Sequence, residues 1–118
     1  MEIITHENIW WWGRTYTFIA DDGKSMIELA IEDDEERNYY GTIQSLIVHE
    51  SVRQQGRGKA LLKLAEEKAK EIGLKQVVLG AEKGSFLIPW YQRNGYKIYD
   101  ENPEYSKGNT VAMNKHFV

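Results

Sequence analysis

Apolar and polar residues alternate in short runs along the first half of the chain, and short turn sequences separate the runs. This pattern is typical of β-strands that bury one face. The segment Asp21-Asp22-Gly23-Lys24 favours a tight turn between two such strands. No helical period is visible before residue 53, so an antiparallel meander is predicted. Its strands are an aromatic segment within residues 2–12, followed by 15–20, 25–31 and 39–48.

The pattern changes to a helical period after Gly56. From about Arg57 to Ile72, apolar residues recur every three or four positions and form one stripe. The pairs Lys63–Glu67 and Glu66–Lys70 are expected on the solvated face. Gly73 is expected to end the helix. A helix of 16 residues is therefore predicted directly after the last strand of the meander.

The second half of the chain completes a mixed sheet. Residues 75–81 predict a strand parallel to the preceding one, because a helix connects the two. A short helix over about 86–94 and two closing strands over 96–99 and 110–115 follow. The expected fold class is α/β, more closely an α+β mixed sheet in one domain of 118 residues. Residues 1–50 hold the N-terminal strands, and 51–118 hold the central helix and the C-terminal half.

Composition narrows the class of protein. The chain is 42% hydrophobic and 28% charged, as in ordinary globular domains. Its lack of cysteine excludes disulfides, thiolate metal sites and cysteine nucleophiles, and no metal site is predicted. No apolar run reaches the ~20 residues of a membrane span. The N-terminus does not resemble a signal peptide, because acidic Glu2 stands where a basic region is expected. The expected setting is cytoplasmic.

Charge argues against nucleic acid as a partner. The formal net charge is −3, and the dense charge run over residues 32–37 is mostly acidic. A solvated hairpin tip explains that run, and attraction of a cationic amine is the alternative. Trp10, Trp11 and Trp12 cannot all face one core, because alternate strand residues point to opposite faces. Three roles stay open for these tryptophans: packing in an edge strand, lining a groove for a substrate, or forming a homodimer contact.

One stretch carries a candidate for chemistry. An apolar run ending in Leu46-x-Val48 is followed by Arg53-x-x-Gly56-x-Gly58 at the start of the long helix. A helix N-terminus exposes free N–H groups and partial positive charge, which suits a phosphate or pyrophosphate. The P-loop pattern fails, because the residue five before Gly58 is Arg53 and the one after Lys59 is alanine. The dinucleotide fingerprint fails as well, because leucine stands where a third small residue is needed.

The remaining pattern resembles the acetyl-CoA-binding motif of the GNAT N-acetyltransferase superfamily. The segment Trp90-Tyr91-Gln92-Arg93-Asn94-Gly95-Tyr96 resembles a second signature of that family, and the two cover roughly residues 39–117. The resemblance implies a GNAT acyl-CoA N-acyltransferase fold with an antiparallel N-terminal meander, a central strand-loop-helix and a splayed pair of parallel strands. Family members usually carry two helices between their first two strands, so this chain resembles a trimmed member.

The resemblance also implies residue roles. Backbone groups of Leu46, Ile47 and Val48 would pair with the pantetheine arm of acetyl-CoA, and the loop and first helical turn would hold its pyrophosphate. Positive charge nearby would come from Arg53, Arg57 and Lys59, and plain solvated side chains are the alternative for the last two. A plain helix entry is the alternative for the glycines. The implied cofactor-binding set is Leu46, Ile47, Val48, Arg53, Gln54, Gln55, Gly56, Arg57, Gly58 and Lys59.

Tyr91 matches the family tyrosine near the thioester sulfur. A phenol of pKa ~10 is neutral at pH 7 and can donate a proton to the leaving thiolate; a core aromatic is the alternative reading. The family asparagine seven residues earlier is Gly84 here, and the strand glutamate of some members is Thr42. No residue is assigned as general base. The candidates are Glu28, Glu82, His49 and His6, and a water relay would also suffice.

The implied activity is an acetyl-CoA-dependent N-acetyltransferase. A neutral primary amine, on a small molecule or a protein, would attack the thioester carbonyl directly in a ternary complex. Positioning and polarisation of the carbonyl by a backbone N–H, expected at Val48, would supply much of the rate. The alternative is a catalytically inactive GNAT-fold module that binds CoA or a partner protein.

Overall fold

The structure is a computed structural model that describes residues 2–33, 40–49, 53, 55–100 and 109–117. Seven strands and two helices lie within these residues. In chain order they are β1 Ile3–Trp10, β2 Gly13–Ala20, β3 Met26–Glu32, β4 Tyr40–Ile47, α1 Arg57–Ile72, β5 Gln76–Glu82, α2 Leu87–Arg93, β6 Lys97–Asp100 and β7 Thr110–His116. The described residues before α1 form no helix. The predicted trimming of the N-terminal region is therefore seen in the described part of the chain.

The strands form one mixed sheet in the order β1-β2-β3-β4-β5-β7-β6. The first four strands are antiparallel neighbours, β4 and β5 are parallel, and β7 inserts antiparallel between β5 and β6. This arrangement confirms the predicted mixed sheet with an N-terminal meander and one parallel pair. The predicted element bounds differ from the observed ones by one or two residues.

One face of the sheet carries the hydrophobic core. Alternate residues of β2 and β3, such as Phe18 and Leu29, are buried against α1, as the period of two requires. Leu61 and Ala65 on the predicted stripe of α1 are fully buried against them, whereas Leu64 is only half-buried. α2 packs beside α1 on the same face, because its Tyr91 belongs to the same core cluster.

The opposite face of the sheet is covered by no helix within the described residues. β1 turns directly into β2 through Trp11 and Trp12, so the connection leaves no room for helices. Gly13 follows this turn, and a Cβ there would clash with the carbonyl oxygen of Ile31, so β2 can approach β3 closely only with glycine at this position. We call the face of the sheet that lies opposite the hydrophobic core the open face.

The three tryptophans take different environments. Trp10 and Trp12 stack in parallel with ring centroids 6.4 Å apart, and the indole N–H of Trp10 donates to the Thr15 hydroxyl at 3.0 Å. Trp11 lies in the turn and is 94% exposed. The three tryptophans therefore do not all face one core, as the sequence predicts. Their use as a groove or a dimer contact stays a prediction.

Candidate functional site

β4 and β5 separate after a short stretch of parallel pairing. They pair only from Tyr40 opposite Gln76 to Thr42 opposite Val78. On its other side, β4 shifts register against β3 by one residue, so Gln44 is an extra residue in the strand. Such a bulge bends a strand and strengthens its twist. Beyond Thr42 the edges of β4 and β5 that face each other form a slot lined by peptide groups that need hydrogen-bond partners.

The slot leads towards the N-terminus of α1. Gly56 precedes the helix with φ of 74°, a left-handed conformation that favours glycine, and no atom of the described residues lies within 4 Å of the position its Cβ would take. No side chain from the described part of the chain caps the helix, and no acidic residue lies in its first turn. The N–H groups of Arg57, Gly58 and Lys59 therefore have no intrahelical acceptor. Together with the helix dipole they form an anion-binding site.

The turn between β2 and β3 holds the loop that begins after β4. The backbone N–H of His49 donates to the Ser25 hydroxyl oxygen at 2.8 Å, and that hydroxyl donates to Asp22 at 2.6 Å. Asp22 also accepts the backbone N–H groups of Lys24 and Ser25. These hydrogen bonds, the Ser25 hydroxyl first, lower the pKa of Asp22 to about 2. Ser25 is completely buried, so this link fixes the start of the loop.

The same turn holds the end of the loop. The Arg57 guanidinium forms an ion pair with Asp21 at 2.6 Å, and this hydrogen bond lowers the pKa of the Asp21 carboxyl. Arg57 is thus engaged with the turn rather than free at the anion site. The Arg53 side chain donates from Nε to the Val48 carbonyl at 3.2 Å, across the same loop. Lys59 is exposed beside the helix N-terminus.

Trp90 and Tyr91 connect α2 to the site. A Cβ at Gly58 would lie 3.4 Å from both the Trp90 ring and the Val48 side chain, so these two side chains meet over the first turn of α1. Tyr91 is 5% exposed and makes edge contacts with Trp90 at 5.0 Å and Tyr96 at 5.5 Å. Burial raises the pKa of the Tyr91 phenol. Its hydroxyl forms no hydrogen bond with any residue in the described part of the chain.

A buried polar cluster anchors the C-terminal end of α2. Glu66 is 6% exposed, and its carboxylate accepts the Tyr96 hydroxyl at 2.8 Å and the Lys115 ammonium at 2.9 Å. Lys115 also donates to the Asn94 carbonyl at 3.0 Å. Burial and the Glu66 charge raise the pKa of the Tyr96 phenol. The prediction of a solvated Glu66–Lys70 pair is wrong, because the carboxylate turns inward to Tyr96, which follows α2, and to Lys115 of β7.

The candidate bases lie at different distances from the slot. Glu28 is half-buried on the open face of β3, and Glu82 is exposed at the end of β5. His49 follows β4, with Lys24 Nζ at 3.5 Å from its ring. His6 is exposed on the edge strand β1. Among the predicted cofactor residues, Gln55 is exposed, whereas Gln54 lies outside the described residues, as does most of the acidic run after Asp33.

Comparison with known proteins places these features in a family. Residues 13–98 match the family model described as "Acetyltransferase (GNAT) domain". The chain is 34% identical over 85 residues to "GCN5-related N-acetyltransferase 6, chloroplastic" of Arabidopsis thaliana, which is 71% of this chain and 29% of that protein. The chain thus spans less than a third of this curated relative.

Solved structures share the fold. The PaiA N-acetyltransferase of Thermoplasma acidophilum, in complex with coenzyme A, has a TM-score of 0.69 and 23% identity over 87% of this chain and 60% of that one. A GNAT family acetyltransferase of Elizabethkingia anophelis with acetyl-CoA bound has a TM-score of 0.71 and 18% identity over 98% of each chain. An IAA acetyltransferase of Bacillus cereus has a TM-score of 0.71 and 15% identity over 98% of this chain and 100% of that one. No described helix of the present chain is both long and apolar enough to cross a membrane.

Proposed function

The chain belongs to the GNAT acetyltransferase family, and on this premise we propose that it transfers the acetyl group of acetyl-CoA to a primary amine. One observation supports this most directly. The slot between β4 and β5 leads to an uncapped helix N-terminus. Acetyl-CoA combines an arm with two amide groups and a pyrophosphate, so its two parts match the peptide-lined slot and the anion-binding site in that order.

The cofactor would be held mainly by backbone groups. The slot-facing edge of Leu46, Ile47 and Val48 would pair with the pantetheine amides, and the N–H groups of residues 57–59 would bind the pyrophosphate. Among the described residues, none fills the position of a Cβ at Gly56, which would let the phosphates approach the backbone there. Lys59 would add positive charge at the rim. In this proposal Arg53 and Arg57 act by fixing the loop through Val48 and Asp21.

The chemistry would be direct attack in a ternary complex. The neutral amine forms the N–C bond and loses one proton to solvent, the C–S bond breaks, and the departing thiolate receives a proton from Tyr91. Two observations support Tyr91 in this role: its raised pKa keeps the phenol protonated at neutral pH, and its hydroxyl has no acceptor among the described residues. A backbone N–H, proposed at Val48, would polarise the thioester carbonyl.

A second candidate function is a non-catalytic module that binds CoA or a partner protein, including a second copy of this chain. The exposed apolar residues of the β1–β2 hairpin favour it, because Ile9 is 79% exposed and Trp11 is 94% exposed. This alternative predicts cofactor or partner binding without any release of CoA in the presence of amines. The enzyme proposal predicts amine-dependent release of CoA.

Titration calorimetry with acetyl-CoA tests the cofactor site. The informative variant is Gly58→Glu, with Gly58→Gln as the isosteric uncharged control. A carboxylate at this position favours the helix dipole, so α1 should remain folded. It would stand roughly 5 Å from the pyrophosphate and repel it by about 3 kcal/mol at an effective dielectric constant of ~20. After screening, we expect affinity to fall about 10- to 100-fold beyond the effect of the glutamine. Equal affinity of both variants, or no saturable binding to folded wild type, would overturn the proposed site.

A further inference from the structure

The open face carries a row of polar side chains that crosses four strands. His6 pairs with Thr17, Thr17 with Glu28, and Glu28 with Ser45. Side chains directly opposite in antiparallel strands share one face and lie about 5 Å apart. The neighbouring row towards the β2–β3 turn is apolar and contains Ile19 and Met26. The polar row therefore carries the ionisable side chains of this part of the face, His6 and Glu28.

Glu28 is the ionisable group of this row that lies nearest to the slot. The Thr17 hydroxyl donates to Oε2 of Glu28 at 3.3 Å, and Oε1 has no partner among the described residues. Ser45, opposite Glu28, lies after the bulge, in the stretch of β4 that has no β5 partner. The Glu28 carboxylate thus borders the slot from the open face. Tyr91 belongs to the other face, where α1 and α2 pack.

This placement puts a proton acceptor and a proton donor on opposite sides of the sheet. A thioester in the slot would present its carbonyl carbon to the open face and its sulfur towards α2, so that amine and leaving thiolate are handled separately. We propose that Glu28 is the general base of the reaction, binding the acceptor as an ammonium ion on the open face and removing its proton. The assignment rests on the acetyltransferase function proposed above.

The step balances in protons and bonds. The ammonium loses one proton to the Glu28 carboxylate, and the neutral amine nitrogen then forms a bond to the thioester carbonyl carbon. Collapse of the tetrahedral species breaks the C–S bond, Tyr91 supplies the proton for the thiolate, and the acylated nitrogen loses its second proton to solvent. Glu28 releases its proton to solvent on the open face, and the phenolate takes one up. One acetamide, one CoA thiol and one proton result from each ammonium and acetyl-CoA.

The other candidate bases are less well placed. His6 lies on β1, about 10 Å from Glu28 across two strand spacings. Glu82 lies four residues beyond the last β4–β5 pair and is exposed at the strand end. His49 lies in the loop that follows β4, beside Lys24. Counting only side chains that the structure describes, the remaining titratable ones that the register assigns to the open face are Glu32, Tyr40, Lys97 and His116.

The test compares Glu28→Gln with Glu32→Gln, which removes a carboxylate from the same strand and face about 13 Å away. The probes are n-butylamine and lysine methyl ester, and the readout is CoA thiol release at saturating acetyl-CoA across pH 6–10. We expect Glu28→Gln to lower kcat/KM about 10²-fold or more at neutral pH, since general bases typically contribute about 10²- to 10⁴-fold. The rate of the Glu28→Gln variant should rise with pH towards the pKa of the amine, because a variant without the base can use only amine that is already deprotonated. Glu28→Asp should restore part of the rate.

Each alternative result has a separate meaning. Equal rates and pH profiles for the two glutamine variants would overturn Glu28 as the base while leaving the acetyltransferase intact. Acetyl-CoA binding without thiol release from either probe would overturn the amine site on the open face. A folded wild type that does not bind acetyl-CoA would refute the proposed function itself. Glu28→Gln should retain wild-type affinity for acetyl-CoA, and loss of that affinity would show a structural role instead.

Discussion

The Tyr96 hydroxyl tests whether the buried cluster around Glu66 stabilises the fold. Tyr96→Phe removes one oxygen and keeps the ring, which is 2% exposed and packs against Tyr91. The lost hydrogen bond joins a phenol to a buried carboxylate at 2.8 Å. Hydrogen bonds to charged groups contribute about 1.5–3 kcal/mol, and Lys115 continues to satisfy Glu66 in part. We therefore expect the free energy of unfolding to fall by about 2 kcal/mol.

The same loss can be expressed as a melting temperature. An unfolding entropy of about 2.1 cal/mol/K per residue over 118 residues amounts to about 0.25 kcal/mol/K. A loss of about 2 kcal/mol then lowers Tm by about 8 °C. Tyr16→Phe is the control, because its hydroxyl donates at 3.0 Å to Glu7, whose side chain is 49% exposed. That variant should lose only about 0.5–1 kcal/mol.

Urea denaturation at pH 7 measures both variants. Equal losses, within about 0.5 kcal/mol, would refute the reasoning that burial of the carboxylate makes the Glu66 hydrogen bond stronger than that of half-exposed Glu7. Alkaline pH gives a second readout. The folded-state pKa of Tyr96 is raised, so its contribution is complete below pH ~10 and is lost as pH rises further and the unfolded chain ionises. Tyr96→Phe should therefore show a shallower alkaline decline, by about 1.4 kcal/mol per pH unit.

Two further predictions concern the site and the turn that supports it. Tyr91→Phe should lower kcat for amine acetylation about 10²-fold while the calorimetric Kd for acetyl-CoA stays within about two-fold, and an unchanged kcat would exclude Tyr91 as the acid. Asp22→Asn should remove part of the acid sensitivity of folding. The folded pKa of Asp22 is lowered to about 2, so its stabilising effect is complete above pH ~4 and is lost as pH falls towards 2. Acid titrations of wild type and variant that have the same shape would contradict this.

Local patterns were sufficient to predict the elements around the site. The strand ending in Val48, the glycines and the apolar stripe of α1 are short-range signals, and helix α1 spans Arg57–Ile72 as expected. The left-handed Gly56 follows from the same logic, because a sharp turn into a helix favours glycine. The roles of the predicted cofactor residues stay predictions.

Long-range partners could not be predicted in the same way. Glu66 lies beside the apolar stripe, and its i,i+4 spacing to Lys70 favoured a solvated pair. Its actual partner Lys115 is 49 residues away in sequence, on a strand whose register no local period determines. The bulge at Gln44 could not be predicted from a local pattern either, and it places Ser45 opposite Glu28. The side of the sheet on which Glu28 lies depends on strand parity, and a shift of one residue would reverse it.

The turn at Asp21 and Asp22 has a consequence for binding cooperativity. These two adjacent residues hold both ends of the loop between His49 and Arg57, one through Ser25 and the other by an ion pair. Chain entropy at the two loop ends is therefore lost when the sheet folds rather than when an anion arrives. Binding and folding then share one free-energy coupling. An anion bound at α1 should slow hydrogen exchange in the β2–β3 turn, and loosening the turn should weaken anion binding by the same factor.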